Sequence, residues 1–134
     1  MNRMFYKLRD YLLQNMHDGY NLGAVVLDKG GGILGWGFNS YVKTHPKMCL
    51  NKHYRVEQIF IHAEADALYS LSEKLTPHTM LIVRINRNGD FLNARPCVGC
   101  YAEIQKRGLK KVLYTVEADE VAELDMSVDV DSYY

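Results

Sequence analysis

The sequence has few cysteines and no long apolar run. Three cysteines are too few, and odd in number, for a disulfide framework, which favours a reducing compartment and a metal or catalytic role. No apolar segment approaches the roughly 20 residues of a membrane helix, and the charged first ten residues do not resemble a signal peptide. We therefore expect a cytoplasmic protein that does not bind membranes.

Proline is scarce, and glycine is not enriched. Three prolines and ten glycines in 134 residues exclude collagen-like and linker-dominated proteins. An apolar content of 48% with 24% charged residues is typical of a globular domain with a buried core. The length is that of one domain, so we predict a single domain over residues 1–134.

The net charge of zero conceals an uneven distribution along the chain. Residues 115–134 hold seven acidic residues and no basic ones, whereas residues 1–114 hold all 16 basic residues and nine acidic ones, a net +7. A basic body suits a phosphate-bearing partner; the alternative is a solvated surface onto which the acidic tail folds back. Tyr133 and Tyr134 are expected to fray, unless an aromatic closes over a site in this or a neighbouring subunit.

Apolar periodicity predicts alternating helices and strands. Helices are predicted over residues 3–16, 62–74 and 98–107, and strands over residues 22–28, 33–39, 80–85 and 112–115. The glycines of residues 29–32 predict a hairpin turn, and Gly108 is placed to end the third helix. This order predicts an α/β domain with a mixed sheet flanked by helices, whose last two strands could be parallel or antiparallel.

Residues 40–60 form an unusually long connection, which either contains a short helix or covers the substrate. Lys43, Lys47 and Arg55 could bind a 5′-phosphate, although a solvated loop explains them equally well. Cys49 is expected to be a small buried residue. The alternative for Cys49 is a second, structural zinc site with two nearby histidines, His45 and His53.

Two motifs could carry chemistry. His-Ala-Glu at residues 62–64 opens the second predicted helix, and Pro-Cys-Val-Gly-Cys at residues 96–100 opens the third. A C-x-x-C pair alone could be a redox motif or half of a zinc ribbon, but the two motifs together are more specific. One imidazole and two thiolates leave tetrahedral Zn²⁺ a free fourth position, as in catalytic zinc sites. Helix N-termini favour the thiolate form of cysteine, and Glu64 could shuttle protons beside the metal.

These motifs resemble the H-x-E…P-C-x-x-C pattern of the zinc-dependent cytidine/deoxycytidylate deaminase superfamily. The resemblance covers about residues 22–115 and is greatest to the short deoxycytidylate or cytidine deaminases, including phage-encoded ones. It implies a three-layer α/β/α fold with a mixed sheet, in a chain that forms a homo-oligomer. It also implies that His62, Cys97 and Cys100 bind Zn²⁺.

The resemblance implies roles for three further residues. Glu64 would take a proton from the metal-bound water and pass it to the ring nitrogen and then to the leaving amine. The backbone N–H of Ala63 would contact the pyrimidine carbonyl, and Asn39 would orient the sugar or base, unless Asn39 only forms a turn. The implied reaction is hydrolytic deamination of a small cytosine nucleotide or nucleoside, with dCMP to dUMP plus ammonia the favoured case.

Two other functions stay open from the sequence alone. A deaminase that acts on a base within RNA or DNA needs a basic surface along the nucleic-acid backbone. The zero net charge and the acidic tail oppose nucleic-acid binding, whereas the basic body permits it. A non-catalytic zinc-stabilised binding module would use Cys49 as the fourth ligand of a closed site, which would leave Glu64 without a role.

Overall fold

The structure is a computed structural model that describes residues 1–54 and 60–134, apart from the side chain of Cys49. The predictions for Arg55 and for the Cys49 side chain therefore lie outside the described residues. The helices are α1 (Arg3–Gln14), α2 (Pro46–Leu50), α3 (Ala63–Tyr69) and α4 (Val98–Arg107), with a 3₁₀ turn at Val130–Ser132. The strands are β1 (Asn21–Leu27), β2 (Ile33–Phe38), β3 (Thr79–Ile85), β4 (Phe91–Leu92), β5 (Lys111–Thr115) and β6 (Val121–Glu123).

One mixed sheet holds all six described strands. Its order is β2-β1-β3-β5-β6, and β4 pairs with β3 outside this path. Strand β1 is antiparallel to both β2 and β3, whereas β3 and β5 run parallel. Helix α4 lies in the crossover between these parallel strands, as a parallel connection requires. The orientation that the sequence left open is therefore parallel.

Strand β3 shows why helices cover both faces of the sheet. Its residues alternate between the faces: Leu81 and Val83 pack with α1, and Met80 and Ile82 pack with α3 and α4. Helix α1 contributes the buried residues Phe5, Leu8 and Leu12. The predicted three-layer α/β/α architecture is confirmed.

Helix α3 is shorter than the sequence pattern predicts. It ends at Tyr69 rather than at residue 74. Arg107 on α4 donates hydrogen bonds to the carbonyl oxygens of Leu68 (3.2 Å) and Ser72 (2.7 Å). These bonds satisfy carbonyls at the helix end without a further turn. In the preceding connection, α2 is the short helix that the sequence allowed.

The acidic tail folds back onto the body. Strand β6 extends the sheet beside β5, and the ring of Tyr133 stacks on Tyr101 of α4 with a centroid distance of 4.1 Å. Tyr133 is 6% exposed, so the expectation that it frays is wrong, whereas Tyr134 is 93% exposed. In the part of the chain that the structure describes, no helix has the length and apolar character needed to cross a membrane.

Candidate active site

Two helix N-termini carry the candidate metal ligands. His62 is the N-cap residue of α3 and Cys97 that of α4, and both have extended backbone angles. Neither side chain forms a capping hydrogen bond with the described residues, so both remain available to bind a metal. Cys100 follows Cys97 by three residues and therefore lies on the same side of the first turn of α4.

The three ligand atoms form a compact group. His62 Nδ1 lies 3.3 Å from Cys100 Sγ and 3.6 Å from Cys97 Sγ, and all three atoms lie within 4.8 Å of one another. Tetrahedral zinc with bonds of roughly 2.0 Å to nitrogen and 2.3 Å to sulfur separates such ligands by about 3.5 Å. The group therefore fits Zn²⁺ in both donor type and spacing, which supports the zinc prediction.

The protonation of the two cysteines bears on cation binding at this site. A hydrogen bond from the Cys100 thiol, followed by one from His62, lowers the pKa of Cys97 to about 4 despite its burial. Burial and the neighbouring Cys97 raise the pKa of Cys100, which is fully buried. This environment favours the thiolate form of Cys97, and a bound divalent cation stabilises thiolates in general.

Glu64 lies in the first turn of α3 and is only 3% exposed. Burial, followed by the negative charge of Cys97, raises the pKa of its carboxyl group to about 7. A carboxyl group with a pKa near neutrality can both accept and donate a proton, as general acid–base chemistry requires. Its environment therefore suits the predicted proton shuttle.

A cavity of about 460 Å³ opens beside these residues. Its volume is within the usual range for small-molecule sites, roughly 300–1,000 Å³. The cavity is lined by Tyr20, Leu22, Asn39, Ser40, Tyr41, Phe60, Ile61, His62, Ala63, Glu64, Arg84, Arg95 and Cys97. The structure thus brings five of the six predicted site residues to this cavity, and the sixth, Cys100, is buried with its Sγ 3.3 Å from His62 Nδ1.

Asn39 follows the last residue of β2 and lines the cavity. Its Oδ1 accepts a hydrogen bond from the Leu22 backbone (2.9 Å), and its Nδ2 donates one to the Tyr20 carbonyl (2.8 Å). The amide therefore links the end of β2 to the start of β1. This is a structural role, as is the turn-forming role that the sequence left as the alternative for Asn39. Its position at the cavity is the one that the predicted substrate role requires.

Two arginines at the cavity were missed from the sequence. Arg84 belongs to β3 and its guanidinium lies 4.2 Å from the ring centre of Tyr20, while that of Arg95 lies 4.1 Å from the ring centre of Tyr133. Among the described residues, neither arginine forms a salt bridge. A signal was present, because Arg84 is the one charged residue in the apolar strand Thr79–Ile85.

The lysines proposed from the sequence lie elsewhere. Lys43 Nζ lies 3.4 Å from an Asp66 carboxylate oxygen, and Lys47 lines a separate groove of about 1,000 Å³ between α2, α3 and α4. That groove is the larger of the two, but none of the three ligands lines it. His45, proposed for a second zinc site, accepts a hydrogen bond from the Lys47 backbone and caps α2. We therefore place the chemistry in the smaller cavity.

A family model and two solved structures show what the chain is similar to. The family model of the cytidine and deoxycytidylate deaminase zinc-binding region matches residues 3–116. The cytidine deaminase structure from Mycobacterium leprae has 18% sequence identity and a TM-score of 0.52, covering 88% of this chain and 91% of that one. A cytidine deaminase from Mycobacterium tuberculosis has 19% identity and a TM-score of 0.47, covering 82% of each chain. No curated protein matches the chain in sequence.

Proposed function

This chain belongs to the cytidine and deoxycytidylate deaminase zinc-binding family, and we propose that it hydrolyses dCMP to dUMP and ammonia. Zinc-dependent cytosine deamination follows from the family and from the His62, Cys97 and Cys100 group. The observation that carries the proposed chemistry is the buried carboxyl group of Glu64 in the same cavity.

The first part of the proposal concerns the metal ligands. His62, Cys97 and Cys100 would hold Zn²⁺ through one nitrogen and two sulfur atoms. When bound, Zn²⁺ supplies a Lewis acid that lowers the pKa of water and so provides a nucleophile at neutral pH. Cys97 and His62 also line the cavity, whereas Cys100 is fully buried, so substrate would approach the site from the side of Cys97 and His62.

Glu64 would move the protons of the reaction. Its carboxyl group would accept a proton from the attacking water and deliver it to the ring nitrogen. It would then accept the proton of the hydroxyl group added to the ring carbon and pass it to the leaving amine, as the new carbonyl forms and ammonia departs. A pKa raised to about 7 by burial supports both steps, because the group can change protonation state at little cost near neutral pH.

Ala63 and Asn39 would orient the base and sugar. Ala63 is the first residue of α3, and backbone N–H groups in a first helical turn lack partners within the helix. Its N–H would donate to the pyrimidine carbonyl oxygen. Asn39 is held rigidly by its bonds to Leu22 and Tyr20, so its amide would meet the substrate in a fixed orientation.

Arg84 and Arg95 support a nucleotide rather than a nucleoside substrate. Both line the cavity, and among the described residues neither has a carboxylate partner that would neutralise it. The buried Nε atom of Arg84 has no described hydrogen-bond partner either. A guanidinium offers paired N–H donors that match phosphate oxygens, so the two arginines would bind the 5′-phosphate of dCMP.

A substrate panel tests this proposal. The zinc-loaded protein is offered cytidine, deoxycytidine, dCMP, dCTP, cytosine, adenosine, guanine and a single-stranded oligonucleotide, and release of ammonia is measured. We expect the highest kcat/KM with dCMP. No turnover of any cytosine compound would refute deamination, while preference for the oligonucleotide would favour a nucleic-acid substrate instead.

A further inference from the structure

Tyr54 contacts two of the three metal ligands, although no motif pointed to it. Its hydroxyl oxygen lies 3.1 Å from Cys100 Sγ. Its ring meets the His62 imidazole edge to face, with a centroid distance of 5.2 Å. Tyr54 is not among the described residues that line the cavity, so its contacts are with the candidate ligands rather than with the cavity.

The segment that carries Tyr54 is anchored to α4. Asn51 donates hydrogen bonds through Nδ2 to the Gly99 carbonyl (3.0 Å) and to Glu103 Oε1 (2.9 Å). The Tyr54 backbone N–H in turn donates to the Asn51 carbonyl (3.2 Å). These bonds fix Tyr54 relative to the first turn of α4, where Cys100 lies.

Gly99 provides the space that the Tyr54 ring occupies. A β-carbon at Gly99 would lie 2.3 Å from Cδ1 and 2.5 Å from Cε1 of that ring. Such distances are far below van der Waals contact, so any other residue at position 99 would displace the ring. The glycine between the two cysteines therefore lets Tyr54 reach the Cys100 sulfur.

We propose that Tyr54 is a positioning residue of the metal centre, whose hydroxyl donates a hydrogen bond to the Cys100 thiolate and thereby slows the loss of zinc. A phenol is protonated at neutral pH, so it is the donor and the thiolate the acceptor. Partners of this kind orient metal ligands, and their removal typically costs 10–100-fold in metal affinity or activity. The inference rests on the zinc site of the proposed function but not on its substrate.

Zinc release measures this role without any substrate. The full chain, loaded with zinc, is mixed with an excess of a chromophoric chelator, and the release rate is followed. Tyr54→Phe keeps the ring but removes the hydroxyl, and we expect release about tenfold faster. Tyr6→Phe is the matched control, since Tyr6 lies on α1 and packs against Phe91. An unchanged release rate in Tyr54→Phe would overturn the proposal.

A spectroscopic measurement distinguishes loss of the hydrogen bond from a general loss of rigidity in the metal site. In the Co²⁺-substituted protein, loss of the hydrogen bond raises the energy of the sulfur lone pair. The thiolate-to-cobalt charge-transfer band should therefore move to longer wavelength in Tyr54→Phe and stay in place in Tyr6→Phe. A band that does not move in Tyr54→Phe contradicts the proposal.

A second variant covers the case in which Tyr54→Phe does not fold. Gly99→Ala would push the ring away from Cys100 and should give the same faster release and the same band shift; their absence overturns the proposal. Both measurements are independent of turnover. A chain that deaminates no cytosine compound can still confirm or refute the role of Tyr54.

Discussion

Gly37 on β2 lies directly against Ala67 on α3. A β-carbon at Gly37 would lie 2.2 Å from the Ala67 backbone nitrogen and 2.3 Å from the Ala63 carbonyl oxygen. The strand and the helix therefore approach each other at the distance of backbone contact. This approach fixes the first turn of α3, and with it His62 and Glu64, relative to the sheet.

Gly37→Ala should destabilise the protein, because a clash with backbone atoms cannot be relieved by a rotamer change. We expect the free energy of unfolding to fall by roughly 1–3 kcal/mol, measured by urea denaturation. Gly30→Ala is the control, since a β-carbon there would meet only Asp28 Oδ1 at 3.5 Å. Equal unfolding midpoints for the two variants would show that the close approach has no energetic role.

Glu64→Gln should lower turnover sharply while the chain keeps its zinc. Glutamine has nearly the same shape as glutamate but cannot carry the proton between water, ring nitrogen and amine. General acid–base catalysis typically contributes 10²–10⁴-fold, so we expect kcat to fall by about that factor. The check is steady-state kinetics with the metal content measured on the same sample. Activity within tenfold of the wild type would remove Glu64 from the mechanism.

Arg84→Gln and Arg95→Gln should weaken binding of the nucleotide dCMP without weakening binding of the nucleoside deoxycytidine. Each loses a charged partner of the phosphate, worth about 1.5–3 kcal/mol, so KM for dCMP should rise roughly 10–100-fold. KM for deoxycytidine should stay unchanged. Arg87→Gln serves as control, because Arg87 is exposed and pairs with Asp18. An equal loss with both substrates would mean that these arginines support the fold or the base rather than the phosphate.

Tyr133→Phe should lower stability through one buried hydrogen bond. The Tyr133 hydroxyl donates to the Pro96 carbonyl, one residue before the ligand Cys97. Without it that carbonyl loses its partner, at a cost of about 1–3 kcal/mol, measured as a fall in the free energy of unfolding. Tyr134→Phe, at a side chain that is 93% exposed, should change nothing. Identical stability of the two variants would contradict a stabilising role for the hydrogen bond between Tyr133 and Pro96.

The candidate zinc site and the layered fold could be predicted because their signals are local. His62 and Glu64 lie two residues apart, and Cys97 and Cys100 lie three residues apart, about one helical turn. Each motif opens one helix. The helix and strand periods were equally local, and most predicted boundaries agree with the structure within two residues. The homo-oligomer and the cytoplasmic location stay predictions.

The remaining features depend on contacts between distant segments. Tyr54 reaches Cys100 across 46 residues, and the Tyr133 hydroxyl reaches Pro96 across 37. Hydrophobic periodicity along the sequence does not predict such pairs. The short strands β4 and β6 likewise depend on pairing with β3 and β5. Arg84 is the exception, since a single charge within an apolar strand is a local signal.

The metal content of the purified chain tests the central claim most directly. Elemental analysis should find one zinc per chain in the wild type and in Glu64→Gln, and less than about a tenth of that in Cys97→Ser and Cys100→Ser, because each loses one of three ligands. A wild-type chain without zinc, or serine variants that retain a full equivalent, would contradict the assignment of His62, Cys97 and Cys100 as the zinc site.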